Sequence, residues 1–163
     1  MPHYGVFTIR DHSGEVSTTR FYNDAITAAS LPAYLTEFGN LRGAIEGISS
    51  GVVAAEMWVG DNTILSQDKP TDPYAQRELK WLVTYEGNTS GKLFTMTIPC
   101  ADLDAVDGQA TPEPILAQDG ESANLNCTLI QDFITAFETV ASSPDNPAED
   151  VTVRRMKVVG RNL

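Results

Sequence analysis

Histidine is the side chain most often used for proton transfer, and this chain of 163 residues contains only His3 and His12. His12 stands between Asp11 and Ser13, so the three residue types of a hydrolase triad occur as direct neighbours. Triads are assembled from positions far apart in a chain, whereas Asp, Ser and Gly in succession favour a turn. We therefore interpret residues 11–14 as a turn, and we expect the protein not to be an enzyme.

The acidic residues between positions 102 and 113 superficially resemble a calcium-binding loop. The fifth position of such a loop is occupied here by Val106, and Gly108 falls one place too late. Zinc-ligand spacing and both glycine-rich phosphate-binding motifs are missing from the sequence. The sequence therefore predicts no metal and no cofactor, and it favours solvated loop acids in this stretch.

The charges are numerous, unbalanced and segregated along the chain. The formal net charge is −11, so binding to nucleic acid through its phosphates is not expected. Residues 100–150 hold eleven acidic residues and no Lys or Arg, whereas basic residues crowd the C-terminus. One interpretation is a solvated acidic surface that keeps the protein soluble. The other is that the basic end of one copy docks on an acidic face of its neighbour.

Hydropathy and cysteine usage limit the classes of protein to consider. The sequence contains no run of 18 apolar residues, so we expect no membrane span and no membrane partner. It also shows no basic segment followed by an apolar run at the start, so we expect no signal peptide. Cys100 and Cys127 are too few for a disulfide framework; two reduced thiols are favoured, and pairing stays open.

The clearest structural signal is a hairpin over residues 78–99. Large apolar residues from Leu79 to Tyr85 alternate with others at period two, which predicts a strand with one apolar face. Gly87 and Gly91 bracket a turn, and a returning strand ends at Pro99 because proline cannot donate to a ladder. The apolar face must be covered. The opposite face carries mostly polar residues: Lys80, Thr84, Glu86, Thr95 and Thr97.

A fainter hairpin at residues 4–22 precedes an amphipathic helix. Ser30 suits the N-cap of this helix and Pro32 suits its first turn. A strand is predicted at 52–59. Beyond the second hairpin, the long acidic loop at 100–126 is expected to be an arm, an interface loop or a mobile tip, since structureless inserts of this length are uncommon in compact domains.

The second helix and the last strand complete the predicted elements. Residues 128–131 fit a capping box, which predicts the start of a helix there. Apolar residues at helical spacing continue to about residue 140, and residues 150–159 read as the last strand.

The order hairpin, helix, strand therefore occurs twice, at about residues 4–62 and 78–162. Short matches support a duplication, including Val-Gly-x-Asn at both 59–62 and 159–162. We predict a single α+β domain over residues 1–163 with two half-repeats. These would form a mainly antiparallel sheet of about six strands with two helices on one face.

Three stretches together resemble the small acidic virion structural proteins of tailed bacteriophages. They are GVFTIRDHSGEVSTTRFY, RELKWLVTYEGNTSGKLFTMTIP and the ending VVGRNL. The resemblance covers most of the chain and is one of pattern. It implies a non-enzymatic building block, made in the host cytoplasm and located in the virion, that assembles into rings or a tube. Its partners would be copies of itself and other virion proteins. A tail tube role is favoured, with a capsid cement or decoration role next.

The candidate interface combines the mixed face of the hairpin with the basic end of the chain. It comprises Lys80, Thr84, Glu86, Thr95, Thr97, Arg154, Arg155, Lys157 and Arg161. A different class of protein stays open beside the virion subunit, namely a soluble ring-forming or ligand-binding module.

Overall fold

A computed structural model of the chain describes residues 3–11, 16–23, 29–49, 52–59, 62–65, 79–99, 101–145 and 149–160. For the four short ranges up to residue 65, that is 3–11, 16–23, 52–59 and 62–65, the description covers the backbone only. The protein is an α+β structure, as the sequence predicts. Its elements in this part of the chain are β1 (His3–Asp11), β2 (Val16–Asn23), α1 (Leu31–Ile48), β3 (Val52–Val59), β4 (Asn62–Leu65), β5 (Leu79–Gly87), β6 (Leu93–Pro99), α2 (Thr128–Val140) and β7 (Val151–Gly160).

The described strands form two hydrogen-bonded sheets instead of the single predicted one. One has the order β2-β1-β3-β4 and the other the order β6-β5-β7, and every pairing is antiparallel. Strand β6 lies beside β1 and β2 of the larger sheet, but no ladder joins them among the described residues. Period-two patterns identify strands and do not specify which strand edges join, so the division into two sheets was not predictable.

The same connection is used in both sheets. In the larger sheet β3, which follows α1, pairs with β1, the first strand of the preceding hairpin. In the smaller sheet β7, which follows α2, pairs with β5 in the same way. The short strand β4, which pairs with β3, was not predicted.

The two helices cover the inner face of the three-stranded sheet. Trp81, Val83 and Tyr85 alternate along β5 and are buried on this face, as the predicted apolar face of the hairpin requires. The indole Nε1 of Trp81 donates to the carbonyl of Ile48 at the end of α1, at 2.8 Å. The ring of Tyr85 meets that of Phe137 on α2 edge to face, with centroids 5.1 Å apart, and burial raises the pKa of Tyr85 to about 12.

Helix α1 begins where predicted, with Ser30 at the N-cap position and proline in the first turn, but the Ser30 side chain makes no capping hydrogen bond. It packs directly on α2. A Cβ added at Gly47 would lie 3.3 Å from the Cδ2 of Leu129, so this glycine allows the two helices to approach closely. Together these contacts fix the helix layer over the sheet.

The start of α2 corrects the predicted capping box. The N-cap is Cys127, so Thr128 already belongs to the helix and its side chain does not cap it. The N–H of Thr128 instead donates to Oδ2 of the buried Asp107, at 2.9 Å, and the side-chain amide of Gln131 donates to the carbonyl of Leu125. A carboxylate 21 positions earlier in the chain thus performs the capping, and no local pattern reveals such a partner.

The acidic loop is packed, so the expectation of an arm or a mobile tip is wrong. Ile115 and Ala123 belong to the core cluster, and isolated bridges join residue 106 to 114 and 116 to 123. Asp107 organises the loop because its Oδ1 accepts the N–H groups of Gln109 and Glu113. Side-chain hydrogen bonds to loop backbone replace the helix or strand that the segment lacks.

Candidate interface on the outer sheet face

Antiparallel pairing brings the predicted interface residues together on one surface. Thr84 on β5 lies between Thr95 on β6 and Arg155 on β7. Residues directly opposite each other point to the same side of a sheet. Because Trp81, Val83 and Tyr85 point to the helices, this row points away from them. We call the surface opposite the helices, formed by β5, β6 and β7, the outer sheet face.

A second row extends the outer sheet face along the strands. Leu82 lies between Thr97 and Lys157, and Lys80 is paired with Val159. Seven of the nine predicted interface residues occupy this face by their register: Lys80, Thr84, Glu86, Thr95, Thr97, Arg155 and Lys157. Arg161 lies outside the described residues.

Arg154 reaches the same face by way of a β-bulge. The register between β5 and β7 shifts between Thr84 and Tyr85, which leaves Arg154 as the extra residue of β7. Its Nε donates to Oε2 of Glu86 at 2.7 Å. On the helix side of the bulge, the N–H of Val153 donates to Oε1 of Glu138 on α2, at 2.8 Å. The bulge therefore directs an additional cation to the outer sheet face, while Glu138 accepts the N–H of Val153 on the other side of the strand.

Apolar residues on the outer sheet face were left out of the predicted site. Leu82 and Val159 lie there half-buried, and the side chain of Leu93, paired with Glu86, is 63% exposed. The period-two alternation that placed the polar residues on this face places Leu82 there as well. A list restricted to polar and charged residues missed them.

The outer sheet face is basic although the whole chain is acidic. The three strands contain four basic residues and one acidic residue, a net charge of +3. The chain as a whole has a net charge of −11. Arg154 and Arg155 are exposed, so the ion pair between Arg154 and Glu86 is screened by water and contributes little to folding.

The acidic loop covers the free edge of β7 from Met156 to Val158. The N–H of Ala123 donates to the carbonyl of Met156 at 2.9 Å, and the N–H of Val158 donates to the carbonyl of Glu121 at 2.8 Å. A covered edge cannot accept a further strand. A partner strand therefore cannot be added to β7 at residues 156–158, and contact there involves the sheet face.

The tip of the β5–β6 hairpin is held by the segment before β7. The carboxylate of Glu149 accepts the N–H groups of Thr89 and Ser90, at 2.8 and 2.9 Å, and also the hydroxyl of Ser90. The hydrogen bond from the Ser90 side chain, with the two backbone bonds, lowers the pKa of Glu149. Lys92 pairs with Asp145 at 2.9 Å, which raises the pKa of Lys92. These contacts set the position of the hairpin tip.

The opposite side of the molecule carries an open groove between α1 and α2. Its volume is about 500 Å³. Glu37 and Asp132 line it and are exposed. Gly39 and Gly43 also line it, and a Cβ added at either glycine would meet no atom within 4 Å.

The residues considered for chemistry are only partly described. His12 and Cys100 lie outside the described residues, whereas Cys127 is buried and carries a free thiol. Within the described ranges, no group of three or more His, Cys, Asp or Glu side chains is arranged to hold a metal ion. No helix in this part of the chain combines the length and apolar character needed to cross a membrane.

Comparison with protein-family models, with curated proteins and with solved structures found no match to this chain. The resemblance to virion proteins therefore stays a prediction.

Proposed function

We propose that this protein is a non-enzymatic structural subunit of a bacteriophage virion that assembles with copies of itself into rings or a tube. A tail tube subunit is the favoured role, and a capsid cement or decoration subunit is the second. The protein is made in the host cytoplasm and resides in the virion, where other virion proteins are further partners. Neither sequence-specific binding to nucleic acid nor a membrane partner is part of this proposal.

The observation that carries the proposal is the composition of the outer sheet face. Leu82, Val159 and exposed Leu93 lie there among threonines and arginines. Mixed surfaces of this kind, with apolar residues and arginine together, are typical of contacts between proteins. A basic face on an acidic protein also attracts the acidic surface of other copies at long range.

Charge favours a subunit contact over a lumen lining for this face. A lumen that lets DNA pass freely must not bind phosphates, and exposed Arg154 and Arg155 would bind them. The acidic remainder of the chain suits a lumen better. The outer sheet face is therefore assigned to the contact between subunits.

We also propose that residues 4–62 and 78–162 are two copies of one structural unit within a single domain. Its support is the shared connection, in which the strand after each helix pairs with the first strand of the preceding hairpin. A duplicated unit gives a subunit pseudo-symmetry, so a ring of such subunits presents twice as many similar hairpins as it has chains.

Light scattering after size-exclusion chromatography, together with negative-stain microscopy, tests the assembly. Purified protein is measured from low to high salt and over a wide range of concentration. Rings or tubes support the proposal. A strict monomer under every condition overturns it.

A matched pair of variants tests the face that carries the proposal. Arg155→Ala with Lys157→Ala removes two cations from the outer sheet face, and Arg20→Ala on β2 with Lys92→Ala removes two from elsewhere. We expect the first pair to weaken self-association roughly tenfold or more, because contacts between opposite charges are lost, and the second to have little effect. Equal weakening by both pairs would show that only net charge matters.

The groove between α1 and α2 favours a second candidate function, a soluble ligand-binding module. Its volume of about 500 Å³ falls in the range of small-molecule sites. This candidate predicts a compound that raises the melting temperature in a saturable manner while the protein remains monomeric. Assembly without any such compound favours the structural subunit.

A further inference from the structure

The two charged surfaces of the subunit lie on opposite sides. The inner face of the three-stranded sheet is covered by α1 and α2, and the outer sheet face points the other way. The helices contain four acidic residues and one basic residue, a net charge of −3. This balance mirrors the +3 of the three strands. We call the exposed surface of α1 and α2 around their groove the helical face.

The acidic residues of the helical face are available at its surface. Glu37 and Asp132 are exposed on the groove, and no basic residue of the described part of the chain lines it. Arg42, the single cation of the two helices, lies beside Glu46, with its Nε 3.7 Å from Oε1. The groove is therefore lined by uncompensated negative charge within the described residues.

The glycines of α1 give an independent reason to expect a partner on this face. Gly47 is explained within the chain because it meets Leu129. Gly39 and Gly43 have no such explanation among the described residues, since a Cβ added at either position would meet no atom within 4 Å. Glycine inside a helix is less favourable than alanine, so these two positions carry a cost that contacts among the described residues do not explain.

We propose that the helical face of one copy receives the outer sheet face of a second copy, with Arg155 and Lys157 of one facing Glu37 and Asp132 of the other. The two surfaces of the same chain carry complementary charges. This proposed contact is what binds one copy to the next. It rests on the proposed function, self-assembly, and names the acceptor surface. A contact between different surfaces on opposite sides repeats from copy to copy, so it builds either a closed ring or an open helical stack.

Charge reversal on the helical face is the first test. Glu37→Lys with Asp132→Lys is expected to weaken self-association at least tenfold, measured by light scattering at low salt. The matched control, Asp102→Lys with Asp104→Lys, makes the same change in net charge but in the acidic loop. This control is expected to weaken self-association far less. Equal loss in both variants, or no loss in the first, would overturn the assignment. Unfolding midpoints confirm that both variants are folded.

A chain with both surfaces reversed gives the sharper test. It combines Glu37→Lys and Asp132→Lys with Arg155→Glu and Lys157→Glu, which leaves the net charge at the wild-type −11. If the outer sheet face meets the helical face, this chain restores the self-association that each pair alone removes. If the outer sheet face meets its own copy, two acidic faces repel each other and association is not restored.

The shape of the groove provides a test that leaves charge unchanged. Gly43→Leu places a side chain in open space within the subunit, so the monomer is expected to fold normally. In the assembly it would occupy the groove and weaken association at least tenfold, whereas Gly43→Ala is expected to weaken it much less. Unchanged association of Gly43→Leu would count against this acceptor surface.

Failure of this inference can be distinguished from failure of the proposed function. A wild-type protein that never associates overturns self-assembly itself. Suppose instead that the wild type associates, that the variant with a reversed helical face still associates, and that the variant with a reversed outer sheet face does not. The proposed function is then retained, and only this acceptor surface is lost.

Discussion

The two faces of the three-stranded sheet share the same strands and differ in what their side chains do. On the inner face Trp81, Val83 and Tyr85 are buried beneath α1 and α2. On the outer sheet face, their direct neighbours Leu82 and Thr84 are only half-buried and lie among cations. Because neighbours along a strand point to opposite sides, one segment of sequence serves folding and association separately. Substitutions on the two faces are therefore expected to change different measured quantities.

The largest effect is expected on the inner face, from Trp81→Ala. This substitution removes a fully buried ring and leaves the Ile48 carbonyl without its indole donor. Large-to-small changes of this kind cost about 3–5 kcal/mol in the free energy of unfolding. Urea unfolding measures it, and the control is Leu82→Ala at the next position, which is expected to cost much less. Equal losses would mean that the outer sheet face is buried in the monomer.

A smaller loss is expected from Asp107→Asn, which tests whether the acidic loop belongs to the folded layer. Asparagine keeps one acceptor oxygen and replaces the other by a donor, so the N–H groups of Thr128 and Glu113 cannot both remain bonded. The melting temperature should fall by several degrees. The control Asp104→Asn makes the same charge change in the same loop and should leave the melting temperature almost unchanged.

The difference in melting temperature between the wild type and Asp107→Asn should depend on pH. Hydrogen bonds from the N–H groups of Thr128 and Glu113 hold the pKa of Asp107 below its usual value of 3.8. A lowered pKa in the folded state means that the stabilisation is present above pH 3.8 and is lost as the pH falls through the folded value. The advantage of the wild type over Asp107→Asn is thus expected to be full at pH 7 and to shrink below pH 4. A constant difference down to pH 2 would contradict this account.

A local effect is expected from Gly87→Ala, at the last residue of β5. An added Cβ would clash with Oε1 of Glu149, so this carboxylate must move away from the hairpin tip. We expect faster hydrogen exchange at the amides of Thr89 and Ser90, with a small decrease in melting temperature. Gly108→Ala, where nothing lies within 4 Å, is the neutral control. Unchanged exchange at the tip would show that Glu149 does not hold it.

The smallest effect has the opposite sign and concerns the helical face. Gly39→Ala and Gly43→Ala are expected to raise the free energy of unfolding by about 0.5–1 kcal/mol each, because alanine favours helix and no atom obstructs its Cβ. Gly47→Ala, which meets Leu129, should not stabilise. Denaturant unfolding of the three variants checks this order. A loss of stability at Gly43 would show that intrachain packing requires that glycine.

Local patterns predicted the elements well where their cause was local. The alternation from Leu79 to Tyr85 placed β5, its apolar face and the polar face opposite. Seven of the nine predicted interface residues lie on the outer sheet face by register, because alternation within β5 and β6 carries most of that information. The extra residue at Arg154 breaks the alternation in β7, and only the pairing with β5 reveals the bulge.

The predictions that failed depended on partners far away in the chain. The capping box was wrong because Asp107 supplies the acceptor for Thr128, and the loop that carries Asp107 was expected to be an arm, an interface loop or a mobile tip. The single sheet was wrong because β6 lies beside β2 without a ladder in the described residues. In each case the outcome depends on residues that lie far apart in the sequence, and a pattern of a few neighbouring residues carries no information about such contacts.

By itself the sequence determined the element types, the two faces of the central hairpin and the segregation of charge. These follow from periodicity and composition, which act over a few neighbouring residues. Only the tertiary structure decided that β7 would lie next to β5 and bring Arg155 and Lys157 beside Thr84 and Leu82. It also placed the acidic helices on the opposite side of the sheet, because the apolar face of β5 is buried only by elements from distant parts of the chain.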